Sequence, residues 1–179
     1  MALTNTILAG DIGGTKTLLG LFACNNHRPE PLVITRYSTQ DYKDAKKILR
    51  DFICKHAHGT NINAATLGVA GPVRNASCDL TNIPWEIDST TISDALNIDL
   101  PNVQLINDVE AMAYAIPILR SDEVATLQEG NADPQGNTVL IAPGTGLGAS
   151  VMTKINNRLV SIDGELGHTD YAPRTPQEI

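Results

Sequence analysis

The sequence has few aromatic residues, few cysteines and no long apolar run. Aromatic residues make up 4% of its 179 residues, so any hydrophobic core must rest on aliphatic side chains. Three cysteines form no CxxC pair, which favours reduced thiols in a cytoplasmic protein over a disulfide framework. No apolar run reaches the ~18 residues of a membrane-spanning helix. We therefore expect no membrane segment.

Basic residues are also scarce. Thirteen lysines and arginines stand against 20 aspartates and glutamates, which gives a formal net charge of −7. Proteins that bind nucleic acids usually carry a basic patch or stripe, so this balance argues against such a partner. A small phosphate ligand stays possible, because backbone N–H groups can bind phosphate without net positive charge.

Hydrophobic periodicity and turn signals predict an α/β chain. The predicted elements are strands over 6–12, 17–23 and 31–37, a helix over 41–58, a strand over 65–71, a loop over 73–88, a helix over 89–97, a strand over 104–107, a helix that Asp108 caps, and strands over 138–144, 149–154 and 158–162. We expect a first domain over residues 1–110 and the beginning of a second over 111–179.

The first glycine-rich motif is GDIGGTKT at residues 10–17. A P-loop is excluded, because Thr15 stands where a glycine is required and a strand follows where a helix is required. The glycines would let a phosphate approach the backbone, Thr15 offers a hydroxyl, and Asp11 could hold Mg²⁺ directly or through water. An ordinary tight turn is the alternative.

The second glycine-rich motif is APGTGLGA at residues 142–149. It matches a relaxed dinucleotide-binding pattern, so an NAD-dependent oxidoreductase is the rival function. That pattern must open a helix, whereas the residues that follow predict a strand hairpin. Two strand–glycine turn–strand units instead suggest a pair of backbone clamps around a polyphosphate.

Two further pairs of polar residues are candidates for binding hydroxyl groups. Asn107 and Asp108 end a strand and begin a helix, where they could bind vicinal hydroxyls and Asp108 could accept a proton; a simple helix cap is the alternative. Glu165 and His168 lie in a loop with flanking glycines, and no further cluster completes a tetrahedral metal site.

Taken together, the motifs resemble those of bacterial glucokinases, within the sugar-kinase and actin-like superfamily. The resemblance rests on GDIGGTKT, GVAGPV, LTNIPW, LINDVEAMAYAIP, APGTGLGAS and GELGHTDYAP, in this order, from Ile7 to the end of the sequence. It implies an actin-like ATPase (ribonuclease H-like) fold, with a small α/β domain, the start of a large α/β domain and a nucleotide cleft between them. The implied reaction is phosphorylation of the 6-hydroxyl of glucose by ATP, the first step of glycolysis.

The resemblance also implies the residues that bind ATP and Mg²⁺. The first phosphate loop would be formed by Gly10, Asp11, Ile12, Gly13, Gly14 and Thr15, and the second by Gly144, Thr145 and Gly146. Asp11 would serve the magnesium ion.

For the sugar, the resemblance implies four side chains. Asn107, Asp108, Glu165 and His168 would bind glucose, and Asp108 would be the catalytic base facing the 6-hydroxyl. The longer protein of this family would be a homodimer.

Two departures from the family pattern refine this interpretation. No cysteine follows Cys78, so the zinc element of the related repressor and kinase group is lacking and the zinc-free branch is favoured. Family members are roughly twice as long, so we expect an N-terminal fragment that is inactive alone. A sugar-sensing regulator on the same scaffold is a second rival, but it would carry a DNA-binding segment ahead of Gly10, where only nine residues stand.

Overall fold

The computed structural model describes residues 5–24, 28–80, 83–143, 147–156, 158–164 and 173–176. The chain divides into two compact units, unit 1 (Met1–Ala111) and unit 2 (Met112–Ile179). The predicted domain division falls one residue earlier. None of the helices in the described part of the chain is long and apolar enough to span a membrane.

The described residues of unit 1 form seven strands and two complete α-helices. In chain order they are β1 (Thr6–Ile12), β2 (Lys16–Ala23), β3 (Glu30–Ser38), α1 (Ala45–His56), β4 (Ile62–Val69), β5 (Ser77–Asp79), β6 (Glu86–Asp88), α2 (Ser89–Leu96) and β7 (Val103–Asn107). Five strands form one sheet in the order β3-β2-β1-β4-β7. The first three are antiparallel neighbours, whereas β4 is parallel to both β1 and β7.

One face of this sheet forms the core of unit 1. Leu8, Ile12, Leu19, Leu67 and Val69 are at most 1% exposed, and the strand register places them on the same face of the sheet. Helices α1 and α2 bury their apolar faces in the same core through Ile48, Leu49, Phe52, Ile92 and Leu96. The aliphatic core that the composition predicts is therefore present, with Trp85, Phe52 and Tyr37 as its aromatic members.

The helix predicted over 41–58 begins later than expected. A short 3-10 turn covers Thr39–Asp41, and α1 starts only at Ala45. Asp44 sets this start, because its carboxylate accepts a hydrogen bond from Lys47 N at 2.8 Å. Tyr42 lies outside the helix, yet its hydroxyl donates to Asp51 Oδ2 at 2.9 Å.

The loop predicted over 73–88 contains a small hairpin instead. Strands β5 and β6 pair antiparallel, with Cys78 opposite Ile87. A tight turn precedes β5, in which Asn75 and Ala76 both have positive φ, at 50° and 59°. Three-residue strands are too short to show a periodicity, and alanine is not a turn signal, so the sequence gives no warning of this hairpin.

Helix α3 (Asp108–Ala115) follows β7 directly and leads into unit 2. Unit 2 contains strands β8 (Thr138–Pro143), β9 (Leu147–Ile155) and β10 (Arg158–Gly164), which form an antiparallel sheet in the order β10-β9-β8. On one face, Ser150 and Ser161 share a hydrogen bond of 2.6 Å, and Ser161 N donates to the Tyr114 hydroxyl of α3 at 3.3 Å.

The opposite face of this sheet carries aliphatic side chains. Val139, Ile141 and Ile162 alternate along β8 and β10 on that face, and each is more than half exposed. We call the set Val139, Ile141, Leu147, Ile155 and Ile162 the apolar face of unit 2.

Candidate functional site

The candidate site of unit 1 lies where the parallel strands β1, β4 and β7 end. Their register places Asp11 beside Gly68 and Gly68 beside Ile106, and the next row joins Ile12, Val69 and Asn107. Parallel strands bring their carboxyl ends to the same edge of a sheet, and ligands of α/β proteins bind at such edges. The polar residues predicted at the ends of β1 and β7 therefore share one edge.

The first glycine motif forms the turn between β1 and β2, as predicted. Gly13 N donates to Lys16 O at 3.0 Å and closes the turn. Thr39 N donates to Thr15 O at 3.0 Å, which ties the turn to the end of β3. Beneath it, the buried hydroxyls of Thr17 and Thr39 are 2.9 Å apart. The turn is thus held from the sheet side, while the side chain of Thr15 is exposed.

Two glycines of the motif have different reasons for lacking a side chain. A Cβ at Gly10 would collide with the buried side chains of Leu67 and Leu19, so packing in the core requires a glycine there. A Cβ at Gly13 would lie 3.2 Å from Lys16 O, inside the turn itself. The predicted phosphate-binding role of both positions stays a prediction.

Asn107 caps helix α3. Its Oδ1 accepts hydrogen bonds from Val109 N at 2.9 Å and from Glu110 N at 3.4 Å, as the side chain of an N-cap residue does. Its Nδ2 donates to Gly71 O at 3.0 Å, in the turn that follows β4. The helix begins at Asp108, so the sequence-based expectation that Asp108 is the cap is wrong by one residue.

Asp108 occupies the first turn of α3 and is half-buried. Its Oδ1 accepts a hydrogen bond at 2.9 Å from Val109 N, the same N–H that bonds Asn107 Oδ1. The helix N-terminus carries a partial positive charge that favours a carboxylate at this position. Asp108 therefore presents an acceptor at the edge of the sheet without being needed to start the helix.

The carboxylates of Asp11 and Asp108 influence each other. The residue Asp11 is exposed, but nearby protein atoms partly desolvate its carboxylate. This desolvation raises the pKa of Asp11 above the ordinary value of 3.8. The positive charge of Lys16 lowers this pKa in part, and the negative charge of Asp108 raises it. The two carboxylates thus repel each other across the site, and a bound cation would relieve that repulsion.

The chemistry of these residues fits a magnesium ion bound by few protein ligands. Among the residues that the structure describes, no three His, Cys, Asp or Glu side chains come together as a metal-binding group. Mg²⁺ is commonly bound through one or two carboxylates, with water and substrate phosphates as its other ligands. Asp11, which is exposed next to the glycine turn, has the character of such a carboxylate.

The other predicted site residues lie outside the described residues. These are Gly144, Thr145, Gly146, Glu165 and His168. Pro143 and Leu147, which flank the second glycine motif, pair with each other as the ends of β8 and β9. A strand follows that motif, not a helix, and this confirms the sequence argument against a dinucleotide-binding loop.

Sequence reasoning missed Gly68, which lies between the two candidate carboxylates. A Cβ at this position would lie 3.3 Å from Ala111 Cβ and 3.7 Å from Asp108 Cα. In the sequence, Gly68 belongs to a predicted strand over 65–71 and to GVAGPV, one of the motifs of the resemblance, and neither gives it a role of its own. A glycine within a predicted strand is the signal that could have indicated a close approach of the backbone.

Comparison with known proteins gives consistent results over nearly the whole chain. The family model described as Glucokinase matches residues 8–179. A curated glucokinase of Nostoc sp. strain PCC 7120 is 35% identical over 173 residues, which are 96% of this chain and 50% of the relative. The chain thus spans about half the length of the curated relatives it matches.

Solved structures give the same picture. A glucokinase from an Antarctic psychrotroph superposes with a TM-score of 0.82 at 26% identity, over 97% of this chain and 54% of that one. A glucokinase from Balamuthia mandrillaris, solved in complex with glucose, gives 0.69 at 22% identity, over 97% of this chain and 51% of that one, a likeness of fold alone. The predicted α/β, actin-like ATPase fold is confirmed.

Proposed function

The chain belongs to the glucokinase family, and we propose that its protein transfers the γ-phosphate of ATP to the 6-hydroxyl of glucose, giving glucose 6-phosphate and ADP. One observation carries this proposal: the structure brings Asp11 and Asp108 to one edge of the sheet, next to a glycine turn, in a chain that matches the family model over residues 8–179. A phosphate site and a proton acceptor are the two features that this reaction requires of a single edge.

The glycine turn supplies the phosphate side of the proposed reaction. The backbone of residues 10–15, above all Gly13 and Gly14, would face the phosphates, and the Thr15 hydroxyl would donate to them. Asp11 would hold the magnesium ion, which neutralises charge on the phosphate oxygens when bound. Gly144, Thr145 and Gly146 are proposed as the second phosphate loop.

The start of α3 supplies the sugar side. Asp108 would accept the proton of the 6-hydroxyl, and its place in the first turn of a capped helix fixes the direction from which it does so. Asn107 already uses Oδ1 for the cap and one Nδ2 hydrogen for Gly71 O, so one amide hydrogen is left for a sugar oxygen. Glu165 and His168 are proposed to bind the remaining hydroxyls.

Holding glucose and ATP in the correct relative position is expected to provide most of the rate enhancement. Phosphoryl transfer needs little covalent chemistry from a protein, and positioning two reactants is worth ~7–11 kcal/mol of the barrier in well-oriented systems. A homodimeric state, a cytoplasmic location and the place of the reaction in glycolysis complete the proposal as family expectations.

The direct test is a glucose phosphorylation assay on the complete natural protein, with ATP and Mg²⁺, coupled to detection of glucose 6-phosphate. We expect turnover that depends on both ATP and Mg²⁺. Calorimetry with glucose, ATP and NAD separates the rivals: glucose binding without turnover would indicate a sugar-sensing regulator, and NAD binding would indicate an oxidoreductase. Either result would overturn the proposed function.

A further inference from the structure

The position of Asp108 depends on where the first turn of α3 lies over the sheet. No linker separates β7, which ends at Asn107, from α3, which begins at Asp108. A residue in a first helical turn moves with that turn as one body. Any contact that raises or lowers the turn relative to β4 therefore moves the Asp108 carboxylate by a similar amount.

One contact that fixes this turn is the side chain of Asn107. Its Oδ1 accepts a hydrogen bond from Val109 N of α3, and its Nδ2 donates to Gly71 O, in the turn that follows β4. This bridge holds the turn laterally, at the end of the strands.

The helix also comes close to the sheet at Gly68. This residue lies in the same row as Asp11, on the face of the sheet opposite to the buried Leu67 and Val69. A Cβ there would meet the helix at two points, Ala111 Cβ at 3.3 Å and Asp108 Cα at 3.7 Å. The helix therefore packs against backbone at this position.

A side chain at position 68 would not fit without movement of the helix. Carbon atoms in van der Waals contact prefer separations of ~3.5–4.0 Å, so even a methyl group at 3.3 Å from Ala111 Cβ must push the two elements apart. The shift for alanine is a few tenths of an ångström, and for valine it is larger. Because Asp11 is on the strand side of this contact and Asp108 on the helix side, the shift separates the two carboxylates.

We propose that Gly68 is a positioning residue, whose missing side chain sets the distance between Asp108 and Asp11 and thereby the reach of the base to the hydroxyl beside the phosphate. The inference rests on the proposed function, in which these two aspartates serve the sugar and the magnesium ion. It gives the glycine of GVAGPV a role in the reaction geometry in addition to its place in a strand.

The test compares three variants of the complete natural protein: Gly68→Ala, Ala111→Gly and the double variant. Gly68→Ala should lower kcat about tenfold, since misplacing a catalytic group by a fraction of an ångström costs part of the ~100-fold seen for 1 Å. The KM for ATP should change little, because the nearest atom of the first glycine motif, Gly10 O, would lie 3.7 Å from the new Cβ, an ordinary van der Waals distance. Ala111→Gly alone should lower the melting temperature and leave kcat near that of the wild type.

Rescue distinguishes positioning from simple packing. The double variant removes the methyl group that the new Cβ meets, so kcat should return to within about threefold of the wild type. Ala111→Val adds bulk to the same contact from the helix side, so it should lower kcat while Gly68 is unchanged. This variant replaces Gly68→Ala in the test if Gly68→Ala does not fold.

The outcomes separate this inference from the proposed function. A wild-type protein without glucose phosphorylation would overturn the function and the role of Gly68 together. An active wild type with unchanged kcat in Gly68→Ala, or a loss of kcat that Ala111→Gly does not restore, would overturn the positioning role alone. A fall in kcat with rescue in the double variant supports it.

Discussion

Asp108 can be altered without removing the cap of its helix, because Asn107 provides that cap. We therefore expect Asp108→Asn to melt close to the wild type while kcat for glucose falls about 10²–10⁴-fold, the usual loss when general-base assistance is removed. The measurement is kcat of the complete natural protein together with its melting temperature. ATP cleavage by water, which needs no sugar proton removed, should persist in the variant.

Asn107→Ala is the matched control for this substitution. It removes the capping oxygen and should lower the free energy of unfolding by about 1 kcal/mol. If Asp108→Asn turned over within about threefold of the wild type, general-base catalysis by Asp108 would be excluded, since even weak assistance contributes more.

Gly14 tests the phosphate-binding turn. A valine there adds a branched side chain to the turn between β1 and β2, where a phosphate would approach the backbone. We expect Gly14→Val to weaken ATP binding in calorimetry and to leave glucose binding nearly unchanged. Thr15→Ser, which keeps the hydroxyl, is the control. Equal ATP affinity in Gly14→Val and the wild type would show that the turn is only structural.

Residue identities at the site were largely predictable, whereas their structural duties were not. The sequence indicates Asp11, Asn107 and Asp108 because each follows or ends an apolar strand. The sequence does not show which of the two residues caps α3, because asparagine and aspartate are both good caps. The structure assigns the cap to Asn107, since the helix begins one residue later, at Asp108. Gly68 was missed because the contact it permits joins residues 43 positions apart, Gly68 and Ala111.

At the level of elements, Asp88 couples the start of α2 to pH. Its carboxylate accepts hydrogen bonds from Thr91 N at 2.8 Å and from Thr91 Oγ1 at 2.6 Å. Burial by itself would raise the pKa of Asp88, but hydrogen bonds from Thr91 and Thr90 outweigh it and lower the pKa below 3.8. A lowered pKa means that the stabilisation is complete above the ordinary value and is lost as pH falls through the lowered one.

Asp88→Ala should therefore lower the free energy of unfolding by about 1 kcal/mol at pH 7. The difference from the wild type should shrink steadily below about pH 4, as the carboxylate of the wild type becomes protonated. Urea unfolding at several pH values measures both effects. Asp94→Ala on the same helix, where the side chain makes only an exposed contact with Lys46, should change little. A pH-independent difference for Asp88→Ala would contradict the prediction.

The elements that sequence predicted well have long periodic patterns, and those it missed are short. Helices α1 and α2 and the inner strands of the main sheet were predictable because each buries an apolar face. Helix α3 was predictable from the capping residue types at its start, although Ala113 is its one buried residue. The start of α1 was misplaced since Tyr42 and Ala45 fit the helical spacing, although Asp44 between them is the cap. The β5–β6 hairpin was missed because its strands have three residues each, too few to show a periodicity.

At the level of the whole molecule, the apolar face of unit 2 has a consequence in solution. Several of its side chains, including Ile141 at 61% exposed, form one contiguous surface on the described sheet. Large exposed apolar patches bind hydrophobic dyes and promote association. The 179-residue chain should therefore enhance the fluorescence of anilinonaphthalene sulfonate, and Ile141→Glu should reduce that enhancement.

Leu127→Glu is the control for this experiment. Leu127 is 98% exposed and lies outside the strands of the apolar face, so its replacement should leave dye fluorescence unchanged. Equal dye binding by the wild type and Ile141→Glu would show that the face is covered in solution.

The strand order of unit 1 also bears on how the chain folds during synthesis. All strands of its sheet lie within the first 107 residues, and the sheet requires no strand from unit 2. Ribosomes add ~5–20 residues per second, so this sheet can close within seconds of its last strand emerging, while the residues of unit 2 are still being made. The nascent chain then carries a closed core ahead of an unfinished one, and the edge with Asp11 and Asp108 exists before the residues proposed to complete it have left the ribosome.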